Sequence, residues 1–284
     1  MDEIHEIARL QQRLRAERVA GKRIVLVPTM GSLHEGHLTL VDVARRHGDS
    51  VVMSLFVNPL QFAPGEDFER YPRDLASDRA LAASRGVDIL FAPSVDEMYR
   101  GGRELRITGA AAANRWEGDV RPGHFDGVLT VVAKLFNIVQ PDAACFGQKD
   151  IQQVTLVRRM IRELDFPIQF VMVPTVREPD GLAMSSRNAY LTAIERTSAT
   201  VLSASLREAD AAWHAGTRDS EILRQIMEEV LATRVPGAPL VADYIAIVDA
   251  SDMAPVTRVV SGTIIALAVR VGMTRLIDNI ILGA

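Results

Sequence analysis

Between residues 27 and 37 the chain reads Val27-Pro28-Thr29-Met30-Gly31-Ser32-Leu33-His34-Glu35-Gly36-His37. The residues just before Pro28, from 24 to 27, are apolar and mostly β-branched, which is typical of a buried parallel strand. Residues 38–44 carry apolar side chains at helical spacing. The stretch is therefore predicted to be a strand-to-helix turn, and in open α/β sheets such turns face the ligand crevice.

The composition of this turn favours binding of an oligoanion. Gly31 and Gly36 allow the backbone to approach a ligand closely, because no Cβ stands in the way. His34 and His37 are three residues apart, so they share one face of the first helical turn. Unpaired backbone N–H groups at a helix start, with two imidazoles beside them, suit the phosphates of a nucleoside triphosphate.

Three simpler interpretations compete with phosphate binding. The histidines can be merely packed or solvated, although a pair around a glycine at a strand end is harder to dismiss. A zinc site is disfavoured, because His-Glu-Gly-His is one residue short of the His-Glu-x-x-His helix and no third ligand stands at a useful spacing. A tight turn explains the glycines but not both histidines. Phosphate binding is the preferred hypothesis.

Composition limits the protein class. The chain has 284 residues, of which 48% are hydrophobic and 24% charged, so one large domain or, preferably, two with a sizeable core are expected. The net charge of −4 argues against wholesale nucleic-acid binding, so no nucleic-acid partner is expected. The single cysteine, Cys145, excludes an internal disulfide and suits a reducing cytoplasm; its apolar neighbours favour buried packing.

Nothing in the sequence predicts a membrane location. The charged N-terminus lacks the apolar core of a signal peptide. The apolar run from Thr263 to Val269 is too short to span a bilayer. The sequence therefore predicts a soluble, cytoplasmic protein without a membrane partner.

Alternating strands and helices predict an α/β fold for the first part of the chain. A first amphipathic helix is expected over 3–20, from the spacing of Ile4, Ile7, Leu10 and Leu14. Strands are expected at 24–27, 50–57, 87–91, 143–146 and 168–173, and helices at 38–44, 74–85, 128–139 and 151–164. The pattern predicts a Rossmann-like parallel sheet with helices on both faces.

The pattern changes after residue 174. Two helices, at about 193–215 and 219–232, precede strands near 241–248, 263–270 and 274–281. Strands bunched after helices predict a smaller C-terminal α+β domain. The expected organisation is a catalytic nucleotide-binding domain over 1–174, a connecting ATP-site loop over 175–188 and a C-terminal lid domain over 189–284.

Two further loops carry groups suited to phosphate. Ala183-Met184-Ser185-Ser186-Arg187-Asn188 offers hydroxyls, backbone donors and an arginine fork, although alone it would more simply be a surface turn. Gly147-Gln148-Lys149-Asp150 follows a predicted strand and adds a lysine, which taken singly would usually be solvated. Asn58, Gln61 and Gln153 are amides that could bind a polar substrate, although loop amides are common.

Taken together, the motifs resemble a known family. A His-x-Gly-His turn after the first strand and a Met-Ser-Ser-Arg loop after the sheet resemble the signature pair of HIGH-type nucleotidyltransferases. Within that superfamily the chain resembles the pantoate–β-alanine ligases over nearly its whole length. The motifs that carry the resemblance are Pro-Thr-Met-Gly-x-Leu-His-Glu-Gly-His at 28–37, Phe-Val-Asn-Pro-Leu-Gln-Phe at 56–62, Arg-Pro-Gly-His-Phe-Asp-Gly-Val at 121–128, Phe-Gly-Gln-Lys-Asp-Ile-Gln-Gln at 146–153, Val-Pro-Thr-Val-Arg-Glu at 173–178 and Ala-Met-Ser-Ser-Arg-Asn at 183–188. Gln148 departs from the pattern, because Glu is expected there in many members.

The resemblance implies a reaction and a set of site residues. Such ligases condense pantoate with β-alanine in the pathway to coenzyme A, splitting ATP to AMP and pyrophosphate through a pantoyl adenylate. The resemblance implies Mg²⁺ as a companion of ATP, with unknown protein ligands, and a homodimer. The implied catalytic residues are His34, His37, Lys149, Ser185, Ser186 and Arg187. The implied ATP-site residues are Met30, Gly31, Ser32, Leu33, His34, Glu35, Gly36, His37, Gly147, Gln148, Lys149, Asp150, Val176, Met184, Ser185, Ser186 and Arg187. The resemblance also implies that Gln61, Gln153 and Asn58 bind pantoate or β-alanine. It implies that Arg121 and His124 shape a wall of the site.

Three other functions fit the sequence less well. A nucleotidyltransferase that moves a nucleotide onto a phosphorylated small molecule is often shorter and would leave the paired glutamines unexplained. A truncated tRNA synthetase is disfavoured by the negative charge and the lack of zinc cysteines or an anticodon-type domain. A protein that binds ATP without turnover would have no use for the lysine and the histidine pair.

Overall fold

Residues 24 to 27 lie at the centre of a parallel sheet and are fully buried. Val25 and Val27 pack in the same cluster as Leu40 and Val41, on one face of the sheet. Since successive strand residues point to opposite faces, burial of Ile24 and Leu26 as well means that both faces are covered. This explains why the strand reads as a continuous apolar run.

The protein is represented by a computed structural model that describes residues 1–66, 68–102, 104–233 and 238–284. The strands are β1 (Asp2–Ile4), β2 (Ile24–Thr29), β3 (Ser50–Leu55), β4 (Ile89–Phe91), β5 (Ala143–Gly147), β6 (Gln169–Val173), β7 (Leu240–Val248), β8 (Ile264–Val271) and β9 (Thr274–Ile281). The helices are α1 (Ile7–Val19), α2 (Glu35–Ala44), α3 (Leu75–Ser84), α4 (Val95–Met98), α5 (Ala110–Ala113), α6 (Glu117–Val120), α7 (His124–Val139), α8 (Ile151–Glu163), α9 (Ala193–His214) and α10 (Ser220–Ala232). Short 3₁₀ helices cover Pro59–Gln61 and Ser186–Tyr190.

The larger sheet has a doubly wound order. Among the described residues, six parallel strands follow the order β1-β4-β3-β2-β5-β6. From β2 the chain adds strands outward on one side as far as β4, and then returns to add β5 and β6 on the other side. The order reverses between β2 and β5, where ligands bind in sheets of this type. The α/β, Rossmann-like prediction is confirmed.

A smaller antiparallel sheet follows. In the described part of the chain it contains β7, β8 and β9, with Ala266 of β8 opposite Asn279 of β9. α9 packs against β8 and β9, and α10 packs against α9 and β7. Their apolar faces build a second core that includes Leu202, Leu223 and Leu267. The predicted smaller α+β part is therefore present.

The chain divides into two compact units. The first comprises 1–114, 121–147 and 156–174, and the second comprises 115–120, 148–155 and 175–284. The short segments 115–120 and 148–155 group with the C-terminal part although they lie early in the sequence. The division at 174 and 188, with a lid domain after it, stays a prediction.

Two helices begin at positions other than those predicted from the sequence. The first helix does not begin at residue 3, because Asp2–Ile4 forms β1 and pairs in parallel with β4, Asp2 opposite Ile89. Burial of Ile4 thus reflects strand pairing, a tertiary contact that local spacing does not reveal. The helix expected from residue 128 already begins at His124, after Gly123 in a left-handed conformation.

Candidate active site

A buried carboxylate from α3 holds the turn after β2. Asp78 is 4% exposed and accepts the backbone N–H groups of Ser32 at 2.9 Å and Leu33 at 2.7 Å. Gly31 and Ser32 have φ of +86° and +53°, in the left-handed region. A Cβ on Gly31 would lie 2.8 Å from a carboxylate oxygen of Asp78. The carboxylate and the glycine therefore fix the path of the backbone that leads to the histidines.

The two histidines cap the start of α2. His34 is the N-cap residue, and its Nδ1 accepts the N–H of Gly36 at 3.1 Å. The N–H of His34 points to Nδ1 of His37 at 3.4 Å, and the two ring centroids are 4.1 Å apart. Because each Nδ1 accepts a hydrogen bond, the hydrogen-bond network assigns the proton of each neutral ring to Nε2. Two Nε2–H donors beside a helix N-terminus suit an oxyanion.

Glu35 has a partner on another helix. Arg85, which follows α3, pairs with the carboxylate of Glu35 and also with Asp42 at 2.8 Å. The side chain of Glu35 is thus directed to Arg85. The group of Glu35 that is suited to an anion is therefore its backbone N–H at the helix start.

Gln61 joins the first two sequence motifs within the first unit. It is 8% exposed and ends the short helix Pro59–Gln61. Its Nε2 lies 3.1 Å from the sulfur of Met30. A thioether is a weak acceptor, so a hydroxyl or carboxylate oxygen of a ligand would be a stronger partner for this N–H.

Asn58 holds the side chain of Gln61 in place by a hydrogen bond. It is 1% exposed, and its Nδ2 donates to Oε1 of Gln61 at 3.1 Å and to the carbonyl of Gly127 at 3.0 Å. Its Oδ1 accepts from the N–H of Leu60 at 3.3 Å and from the hydroxyl of Tyr99 at 2.6 Å. Both amide hydrogens and both acceptor positions are therefore used inside the protein. This geometry favours positioning of Gln61 over direct substrate contact.

Gly127 allows α7 to approach the short helix that carries Gln61. A Cβ at this position would lie 2.3 Å from the carbonyl oxygen of Leu60 and 2.6 Å from the backbone nitrogen of Gln61. Those atoms belong to the backbone and cannot move aside as a flexible side chain can. The second glycine of the 121–128 motif is thus required by close packing.

Arg121 and His124 meet at the carbonyl of Gln61. Arg121 binds both carboxylate oxygens of Glu66, at 3.0 and 2.8 Å, and reaches the Gln61 carbonyl at 3.3 Å. Nδ1 of His124 lies 2.8 Å from the same carbonyl. Burial opposes ionisation of Glu66, but hydrogen bonds and charge from Arg121 outweigh it and hold the pKa of Glu66 below its ordinary value. These side chains form a wall around the Gln61 backbone.

Residues 148–150, between β5 and α8, belong to the second unit and are called the lysine turn. β5 ends at Gly147 in the first unit, and Gln148, Lys149 and Asp150 lead into α8, whose first turn carries a half-buried Gln153. Asn279 of β9 donates from Nδ2 to the carbonyls of Gln148 at 3.0 Å and Lys149 at 2.9 Å. Nε2 of Gln148 donates to Oδ1 of Asn279 at 3.3 Å. The backbone that carries Lys149 is thus tied to β9.

Residues 176–184 form a hairpin-like turn. The N–H of Met184 donates to the carbonyl of Val176 at 2.9 Å. Arg177, between them, forms two hydrogen bonds with Asp278, at 2.6 and 3.0 Å. Asp278 is 2% exposed, so this ion pair is buried on its acidic side. The segment is anchored to β9 at Arg177.

The Ser-Ser-Arg segment follows this hairpin. The hydroxyl of Ser185 accepts the N–H of Arg187 at 3.3 Å and caps the 3₁₀ helix that begins at Ser186. Ser185, Ser186 and Arg187 are all half-buried. Within the second unit the structure thus brings the 176–187 segment and the lysine turn to β9.

The predicted site residues divide between the units. Those from Met30 to His37, with Asn58, Gln61 and Gly147, belong to the first unit; those from Gln148 to Gln153 and from Val176 to Arg187 belong to the second. Among the residues described, no group of three or more His, Cys, Asp or Glu side chains is arranged to hold a metal ion. No helix within the described ranges is both long and apolar enough to cross a membrane.

A sequence model of the family described as pantoate-beta-alanine ligase matches residues 2–281. The chain belongs to this family. ATP-dependent condensation is the reaction of pantoate-beta-alanine ligases. Pantothenate synthetases from Moorella thermoacetica and Syntrophomonas wolfei are each 50% identical to the chain over 282 residues, and each alignment covers 99% of both chains.

Solved structures of the family agree in fold. A crystal structure of pantothenate synthetase from Thermus thermophilus matches with a TM-score of 0.91 at 48% identity, over 99% of each chain. The pantoate-beta-alanine ligase from Francisella tularensis, complexed with beta-gamma ATP and β-alanine, matches with a TM-score of 0.80 at 34% identity. That match covers 99% of this chain and 97% of the other.

In this ligase family member, several supporting residues were not identified from the sequence. Asp78, Tyr99, Asp278 and Asn279 hold site segments but lie far from them along the chain. For Asp278 and Asn279 there was a signal, because two adjacent polar residues interrupt the otherwise largely apolar end of a predicted strand. Buried polar groups in a strand need partners, and here those partners are the site loops.

Proposed function

We propose that the chain condenses (R)-pantoate with β-alanine to form pantothenate, splitting ATP to AMP and pyrophosphate through a pantoyl adenylate. The family match over residues 2–281 carries this proposal. The histidine cap at the start of α2 supports it, because it offers oriented N–H donors at the reversal point of the sheet.

In the first step a pantoate carboxylate oxygen attacks the α-phosphorus of ATP, and the bond from that phosphorus to the bridging oxygen breaks. The carboxylate is ionised at neutral pH, so this attack needs no general base. What the protein must supply is alignment of two anions and stabilisation of the departing pyrophosphate. We assign the stabilisation of the pyrophosphate charge to the Nε2–H groups of His34 and His37, together with the first backbone amides of α2.

In the second unit we assign Lys149, Ser185, Ser186 and Arg187 to the triphosphate. Lys149 offers a point charge and Arg187 a planar fork, both suited to phosphate oxygens. Gly147 at the end of β5, with Gln148, Asp150, Val176 and Met184, is assigned to the adenosine part through backbone and packing contacts.

Gln61 and Gln153 are assigned to pantoate. The Nε2 of Gln61, now facing a thioether, is suited to a hydroxyl or carboxylate oxygen. Asn58 is assigned to the same site as the group that orients Gln61. In the second step the neutral amine of β-alanine attacks the acyl carbon, the bond from that carbon to the phosphate oxygen breaks so that AMP leaves, and the amine releases a proton to water.

Mg²⁺ is proposed as the companion of ATP. Mg²⁺ keeps several waters and is usually held by substrate phosphates with one or two carboxylates, so it fits a site without a dedicated cluster of three ligands in the described ranges. It would neutralise charge on the phosphates. A cytoplasmic location and a homodimer are also proposed, from the family resemblance.

The test is release of pyrophosphate and AMP from Mg-ATP by concentrated enzyme, with pantoate and with or without β-alanine. We expect about one pyrophosphate per active site on pantoate alone, and AMP with pantothenate only after β-alanine is added. Absence of pyrophosphate in every combination, with ATP still bound, would refute the proposal. A stable nucleotide ester as product would instead indicate another nucleotidyltransferase.

A further inference from the structure

Two adjacent polar side chains are buried near the end of β9. Asp278 and Asn279 are 2% and 1% exposed, in a strand that contributes Leu276 to the second core. Burying a carboxylate or an amide is costly unless its hydrogen bonds are made within the protein. The partners of these two side chains therefore show what their burial achieves.

Asn279 is committed to the lysine turn. Its Nδ2 donates to two consecutive carbonyls, those of Gln148 and Lys149, and its Oδ1 accepts from the side chain of Gln148. This pattern also fixes the orientation of the amide, because a flipped amide would place its oxygen against two carbonyl oxygens. The side chain of Asn279 thus fixes the conformation of the backbone that carries Lys149.

Asp278 is committed to the other loop. It binds both terminal nitrogens of Arg177, and Arg177 also donates to the carbonyl of Gly181 at 3.1 Å. Neighbouring residues of a strand point to opposite faces, so the two side chains can serve different segments from one place. The arginine holds the turn that leads to Met184 and the serines.

We propose that Asp278 and Asn279 are positioning residues for ATP, which hold the lysine turn and the 176–184 hairpin in register with each other through β9. The proposal rests on the proposed function, because it assigns a task to residues that support Lys149 and Ser185–Arg187. Neither side chain needs to touch the substrate. Their effect is on where the phosphate-binding groups stand.

A purely structural role makes a different prediction. If Asn279 only stabilised the second unit, its loss would lower the free energy of unfolding without a selective effect on ATP. If Asn279 positions Lys149, its loss weakens ATP binding, and part of the contribution of Lys149 is lost with it. The two possibilities separate in a double-mutant cycle.

The experiment compares Asn279→Ala, Lys149→Ala and the double variant with the unmodified chain by calorimetric titration with ATP. We expect Asn279→Ala to weaken ATP binding about tenfold or more, because misplacement of a binding group by about 1 Å is costly. We expect the double variant to be much less impaired than the product of the two single effects. Leu276→Ala, a core change on the same strand, is the control and should lower the melting temperature while leaving ATP affinity unchanged.

Gln148→Met covers the case in which Asn279→Ala does not fold. It keeps the length of the side chain and the backbone and packing contacts assigned to adenosine, adds no charge and removes only the bond to Oδ1 of Asn279. We expect a loss of ATP affinity of about fivefold. ATP affinity within twofold of the unmodified chain in folded Asn279→Ala or Gln148→Met, or a double variant equal to the product of the single effects, would overturn the proposal. Failure of the proposed function would be seen separately, as an unmodified chain that binds ATP but forms no pantothenate.

Discussion

The tautomers of His34 and His37 determine what these residues can do for a leaving group. Each Nδ1 accepts a backbone N–H, so each neutral ring donates from Nε2. Backbone geometry thus determines which ring nitrogen can donate to the charge that would develop on the phosphates in the proposed reaction. Such preorganisation needs no rearrangement at the moment of reaction.

His37→Ala is therefore expected to lower kcat by roughly 10²–10³-fold, as removal of an oxyanion donor does. His37→Gln keeps an N–H donor at a similar distance from the backbone and should recover part of the loss. Turnover of pantoate and ATP is the measurement, with His214→Ala, at a largely exposed histidine on α9, as the control. Near-normal turnover by a folded His37→Ala protein would remove His37 from the mechanism.

Gly127→Ala tests the contact between α7 and Gln61. In an exposed helix this change would stabilise by up to about 1 kcal/mol. Here the added Cβ meets the backbone of Leu60 at 2.3 Å, so the short helix that carries Gln61 must shift. We expect the KM for pantoate to rise by about tenfold or more, since a buried amide is displaced. Asn137→Ala, farther along α7, should leave that KM unchanged; an unaltered KM in Gly127→Ala would contradict the role given to Gln61.

Some residues of the proposed site could be selected from the sequence, and others could not. His34, Gln61 and Lys149 were selected because the motifs that contain them together resemble those of a known family, whereas Gln61 and Lys149 taken singly would be ordinary loop residues. Asp78 and Asn279 act on segments 45 and 130 residues away in the sequence. Spacing carries no information on such pairs, because only the fold brings them into contact.

Among elements, the turn between β2 and α2 depends most on one distant partner. Its N–H groups at Ser32 and Leu33 have no place in a ladder or helix and are satisfied by Asp78. Unsatisfied buried N–H groups cost about 1–3 kcal/mol. The turn therefore keeps its shape only while α3 supplies two acceptor oxygens.

Asp78→Asn is expected to lower the free energy of unfolding by about 1–3 kcal/mol and to reduce turnover, because one oxygen becomes an NH₂ group facing an N–H. Asp74→Asn on the same helix is the matched control. Asp74 caps α3 by accepting from Ser77, and Asn caps equally well, so that change should be nearly neutral. Urea unfolding with turnover assays distinguishes the two; equal effects would show that Asp78 has no special role in the turn.

Element types were predictable where periodicity is strong. The β2 and β5 strands, with α8 and α9, follow apolar patterns that local physics suffices to interpret. β1 was missed because three residues are too few for a pattern, and pairing with β4 determines their conformation. α7 was placed four residues late because Gly123 and His124 suggest a loop, whereas Gly123 in fact precedes the first helical residue.

At the scale of the whole molecule, each unit contains a carboxylate held by arginines. In the first unit Arg121 holds Glu66, and in the second Arg275 and Arg270 hold Asp243 at 2.6 and 3.0 Å. For both carboxylates burial opposes ionisation, but bonds and charge from arginine outweigh it and lower the pKa. Both units should therefore lose stability in acid.

Acid should thus weaken the ion pair of Glu66 in a defined range of pH. A carboxylate whose pKa is lower in the folded state contributes stability above its ordinary value of 4.5, and this contribution is lost as pH falls through the lower folded-state value. Glu66→Gln should accordingly destabilise the protein at pH 7 and lose that effect progressively below about pH 4.5. Urea unfolding midpoints from pH 7 to pH 3 provide the measurement. Asn137→Ala, which removes no ionisable group, should shift the midpoint by the same amount throughout. An effect of Glu66→Gln that stayed constant down to pH 3 would mean that the pair with Arg121 adds no pH-dependent stability. Arg121 and His124 would then be held near Gln61 by their contacts with its carbonyl, without help from the charge of Glu66.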